Sequence, residues 1–65
     1  MDKIYKLKYK GKWIKPKHVL GTYCYELYDD DDGIEPMSLK KATAWKDMIS
    51  EENDLNKEEI ELIMI

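Results

Sequence analysis

The chain has 65 residues, 43% hydrophobic and 38% charged, with five Tyr, two Trp and no Phe. That is apolar enough for one small folded domain over 1–65 and excludes wholesale disorder, but a chain this short buries only about 60% of its unfolded surface, too little to wall a deep catalytic pocket. The net charge of −3 is divided unevenly: residues 1–18 hold seven Lys against Asp2, residues 19–65 hold four Lys against thirteen acids, and there is no Arg.

From Ile4 to Tyr9 the sequence alternates, with Tyr5, Leu7 and Tyr9 on one side and Lys6 and Lys8 on the other. This is the period-2 pattern of a half-buried strand. Lys10-Gly11 offers a two-residue turn into Lys12-Trp13-Ile14-Lys15, with a stop expected at Pro16. That loop sets Leu7 opposite Ile14 and Lys8 opposite Trp13, which keeps the aliphatic pair on one face. A three-residue loop with Gly11 in the left-handed region would instead pair Leu7 with Trp13. Gly21 opens a third extended segment, Thr22 to Tyr28, with Tyr23, Tyr25 and Leu27 on one face. Asp29 to Gly33 reads as a turn, and Pro36 keeps residue 35 extended.

Ser38 is a good N-cap, and Leu39, Ala42, Trp45, Met48 and Ile49 follow at helical spacing. Asn56 with Glu59 forms a second capping signal, flanked by Leu55 and Ile60 at the staple positions. A short second helix is therefore expected near 59–65, although Ile60, Leu62 and Met64 also alternate as a strand would. The expected fold is α+β: a three-stranded antiparallel sheet followed by one or two short helices.

The single cysteine, Cys24, cannot form an internal disulfide, and no apolar run approaches the roughly 18 residues of a membrane span. A cytoplasmic protein is expected. Catalysis is not. His18 and Cys24 supply only two of the three or four N or S ligands that zinc needs, and the three glycines stand singly, so no phosphate-cradling loop exists. A structural Cys24 is favoured over a nucleophile with His18 as its base. Placing Gly33 at the sixth position of a calcium loop puts Tyr28 first and Leu39 last, where carboxylates are required. No metal or cofactor is expected.

Three groups of residues remain as candidates for binding. The acidic turn Asp29, Asp30, Asp31 and Asp32, with Glu35, Tyr25 and Tyr28, would meet Lys and Arg side chains on a protein partner. The basic hairpin, with Lys8, Lys10, Lys12, Trp13 and Lys15, would track a nucleic-acid backbone and stack a base. Ile60, Ile63, Met64 and Ile65 belong to a C-terminus with more large apolar side chains than one helical face can hide, so a second copy of the chain is a further candidate partner.

The opening Ile4-Tyr5-Lys6-Leu7-Lys8-Tyr9-Lys10-Gly11-Lys12-Trp13, the short acidic turn and the brief tail resemble the general texture of small accessory proteins encoded by bacteriophages. The resemblance implies a compact protein that inhibits or redirects a host enzyme by occupying a surface. The sequence reading is thus a non-enzymatic protein-interaction module, with a small nucleic-acid-binding module as the alternative.

Overall fold

The computed structural model describes residues 3–65. It is an α+β fold in which one α-helix lies against one face of an antiparallel sheet. The described residues form β1 (Ile4–Tyr9), β2 (Lys12–Val19), β3 (Thr22–Tyr28), β4 (Met37–Ser38), α1 (Leu39–Glu52), a single 3-10 turn (Lys57–Glu59) and β5 (Ile60–Met64). The sheet therefore has five strands rather than the expected three.

The first hairpin takes the two-residue form. Lys10 and Gly11 both have positive φ (49° and 81°), as a type I′ turn requires, and Leu7 pairs with Ile14 and Lys8 with Trp13. Leu20 and Gly21 repeat that geometry between β2 and β3.

Strand β2 does not stop at Pro16; it runs on to Val19, with Pro16 opposite Tyr25. The reason is register. Hydrogen-bonded and non-bonded pairs alternate outward from the Leu20-Gly21 turn, so Pro16 falls at a non-bonded pair and its missing N–H faces away from β3.

The C-terminal segment is the second correction: residues 60–64 form a strand, not a helix. Asn56 does cap, accepting from the Glu58 N–H, but the helical geometry lasts one 3-10 turn. The β-branched tail then pairs along β1 from Ile60 opposite Tyr9 to Met64 opposite Tyr5. Tyr5 is thus flanked by both Met64 and Met37, so β4 lies on the edge of β1 that β2 also uses. On that shared edge β2 covers Leu7 to Tyr9 and β4 covers Ile4 and Tyr5, leaving a notch at Lys6.

Ser38 caps α1 by accepting from the Lys41 N–H at 3.3 Å. Ala42 and Ile49 are fully buried against Leu7, Ile14, Met37 and Ile60, with Trp45 alongside. Leu39 and Met48, on the margins of the apolar stripe, stay exposed. Asn53 ends the helix: its side-chain amide donates both to the Ile49 carbonyl and to Tyr23 O on β3.

Candidate interaction surface

Alternation along each strand sends Leu7, Ile14 and Ile60 to the helix and sends Lys6, Lys8, Trp13, Lys15, Lys17, Glu26 and Tyr28 to the opposite face. Across four strands, Tyr28, Trp13, Lys8 and Glu61 form one row on that helix-free face. The Lys8 ammonium sits 4.8 Å from the centroid of the Trp13 ring, a cation–π contact. In the neighbouring row, Glu26 accepts from the Tyr28 hydroxyl at 3.0 Å and pairs with Lys17 at 2.6 Å. The Lys17 hydrogen bond, with that of Tyr28 behind it, holds the Glu26 carboxyl below its ordinary range. The same bonds push the Lys17 ammonium and the Tyr28 phenol upward.

The acidic turn folds back onto this hairpin. Lys6 Nζ donates to Asp31 Oδ2 at 3.1 Å and to the Asp31 carbonyl at 3.2 Å, and Lys12 Nζ lies 2.6 Å from Asp29 Oδ1. These hydrogen bonds lower the Asp31 and Asp29 carboxyls, and for Asp31 the attraction of Lys8 adds to the effect. Asp30 instead accepts from the Asp32 N–H, stabilising the turn locally. Two lysines of the basic half thus pair with two carboxylates of the acidic turn. Asp30, Asp32 and Glu35 have no ion-pair partner within 4.0 Å among the described residues.

No family model, curated protein or solved structure matches this chain. What the surface can do follows from its own chemistry.

Of the acidic-turn group, Tyr28 and the turn border the helix-free face, whereas Tyr25 points to the helix side and packs edge-on to Tyr9 with centroids 6.4 Å apart. Tyr25 and Tyr28 are therefore separated by the sheet. Of the basic group, Lys8, Trp13 and Lys15 share the helix-free face. Lys10 sits in the turn, 5.4 Å from the Tyr9 ring and 3.6 Å from Glu59. Its ammonium is raised first by Tyr9 and then by Glu59. Lys12 alternates toward the helix side and reaches Asp29 at the end of the sheet. Of the C-terminal group, Ile60 is buried in the chain's own core, Ile63 is half-buried, and Met64 and Ile65 are exposed.

His18 and Cys24 occupy adjacent register positions, so they point to opposite faces and do not form a nucleophile–base pair. His18 stacks on Tyr23 at 4.6 Å. Among the described residues no three His, Cys, Asp or Glu side chains converge as a metal-ligand set, and no helix is long and apolar enough to cross a membrane. Lys6 belongs to the basic hairpin read from the sequence, whereas Lys17 and Glu26 were not expected as parts of this surface. Strand alternation already set Glu26 on the face of Tyr28, but Lys17 lies beyond the stop expected at Pro16.

Proposed function

We propose that the protein is a non-catalytic interaction module that works by occupying a surface on a protein partner. The observation that carries this reading is charge compensation. Lys6, Lys10, Lys12 and Lys17 each lie within 4.0 Å of a carboxylate of the same chain. A module that tracks phosphates needs cations free to displace counterions from the nucleic acid. Among the described residues Lys8 and Lys15 are the hairpin cations left over, and Glu35 lines the same cavity as Lys15.

A partly exposed Trp–Tyr pair surrounded by a mixed-charge rim matches the chemistry of protein interfaces, where aromatic anchors supply affinity and rim charges supply register. The proposed contact surface is Trp13 and Tyr28, with Lys8 and Lys15 on one side and the free carboxylates of the acidic turn on the other. By the resemblance to phage accessory proteins, the partner would be a host enzyme in the cytoplasm, blocked by steric occupancy.

The test is affinity capture from a bacterial lysate after nuclease treatment, using the wild type, Trp13→Ala and Tyr28→Ala. One stoichiometric protein retained by the wild type and lost by both variants supports the reading. Capture that vanishes with nuclease, or that ignores both substitutions, contradicts it.

A further inference from the structure

Among the described residues, strand β2 has a partner on one edge only beyond Ile14. Its register with β3 continues to Val19, while β1 pairs with it no further than Ile14. Alternation turns the Pro16 carbonyl and the His18 N–H and carbonyl toward the unpaired edge. Beside that edge, where the notch separates β2 from β4, lies a cavity of about 310 Å³. Pro16, Ile34, Met37 and Trp45 supply its apolar lining, and Lys15 and Lys41 stand at its margin. Neither lysine has a carboxylate within 4.0 Å among the described residues, and Glu35 is the one acid in the lining. A smaller hollow of about 180 Å³ adjoins it, sharing Lys41 and Trp45 and adding Tyr23 and Met48.

We infer that this notch docks an extended peptide segment of a partner protein, one that carries a bulky apolar side chain next to an acidic one. Each part of the ligand has a counterpart in the notch. The peptide backbone continues the sheet on the free edge of β2, the mode in which main-chain hydrogen bonds give affinity and side-chain pockets give specificity. The apolar side chain enters between Pro16, Met37 and Trp45. Its volume suits that task, since it stands at the lower end of the range for ligand pockets. The carboxylate meets Lys15 and Lys41, whose two positive charges outweigh Glu35 and select against a basic peptide. The wall opposite β2 is held in place from the other face of the sheet, because the Lys6–Asp31 clamp fixes the turn that leads into Ile34.

The inference goes beyond the aromatic surface described above and can fail independently of it. The test is selection of a displayed library of random peptides on the full chain, followed by synthesis of the enriched sequences. Their sites are then mapped by backbone amide shifts in the labelled protein. The expected result is enrichment of Asp or Glu beside Leu, Val or Phe, with shifts grouped at His18, Ile34 and residues 41–48. Lys41→Glu should weaken these peptides at least tenfold, Lys41→Gln by less, and methylation of alternate peptide amides should abolish binding. No enrichment, enrichment without acidic residues, or affinity unchanged in Lys41→Glu overturns the inference. Shifts centred on Trp13 and Tyr28 also overturn it, while leaving the aromatic surface as the contact site.

Discussion

Lys6 holds Asp31 by two hydrogen bonds, one to the carboxylate and one to the backbone carbonyl, across 25 positions of sequence. Lys6 is the β1 residue at the notch between β2 and β4, and its side chain, on the helix-free face, is only 12% exposed. It anchors the acidic turn against the basic hairpin. Replacing Lys6 by Met keeps the stem and removes the donor, so the fold should persist while the turn loosens. Amide hydrogen exchange should quicken at Asp32 and Ile34 and remain unchanged at Leu7 and Ile14. Equal acceleration throughout would mean that the clamp supports the whole fold rather than the turn.

The ion pairs also set the response to acid. Asp29, Asp31 and Glu26 have carboxyls held below their ordinary values by Lys12, Lys6 and Lys17 respectively. A group depressed in the folded state contributes stability above its unfolded pKa, near 4, and loses it as pH falls through the folded value. Stability should therefore be level from about pH 7 to pH 5 and decline below about pH 4. These groups are exposed, so salt should flatten the decline. Urea midpoints across that range at low and high salt check this, and Asp29→Asn with Asp31→Asn should reduce the slope.

Leu20 occupies the first position of a type I′ turn with φ of 50° and is 99% exposed. A branched side chain in the left-handed region costs roughly 1–2 kcal/mol, whereas Asn tolerates it. Leu20→Asn should stabilise the protein by about 1 kcal/mol. A lower thermal midpoint in this variant would argue that Leu20 has a partner in the folded state.

Ile60 is 1% exposed and begins the strand that flanks β1. Ile60→Ala should cost about 2–5 kcal/mol, a large share of the stability of so small a domain. Deleting residues 60–65 should unfold the chain rather than release a monomer from a dimer, because it removes one whole edge of β1. Circular dichroism of the truncated chain decides between these outcomes. Met64→Lys, at an exposed position, should leave stability within about 0.5 kcal/mol of the wild type.

The local parts of this fold were legible in the sequence. Two loop lengths were open at Lys10-Gly11, and keeping Leu7 and Ile14 on one face favoured the two-residue turn, which the positive φ at both positions and the Leu7–Ile14 register bear out. Ser38 likewise marks the start of α1 by its own hydrogen-bonding chemistry. What escaped was non-local. Pro16 reads as a strand stop until the second hairpin turn shows which way its nitrogen faces. The capping signal at Asn56 is real, but β1 offers an open edge that only the fold provides, and Ile60 to Met64 take it. For the candidate surface, the opposite charges of the hairpin and the turn were visible in the sequence. That they meet at Lys6–Asp31 and Lys12–Asp29 depends on where the chain crosses itself.

The central claim is that Lys6, Lys10, Lys12 and Lys17 are paired with the chain's own carboxylates, which leaves too few hairpin cations for a polyanion and suits the surface to a protein. Anisotropy of a labelled single-stranded oligonucleotide tests it most directly, titrated at about 0.15 M salt with the wild type and with Asp29→Asn/Asp31→Asn. The account predicts no binding by the wild type and salt-sensitive binding by the double variant, in which Lys6 and Lys12 are released. A wild type that binds the oligonucleotide as tightly as the double variant would contradict it.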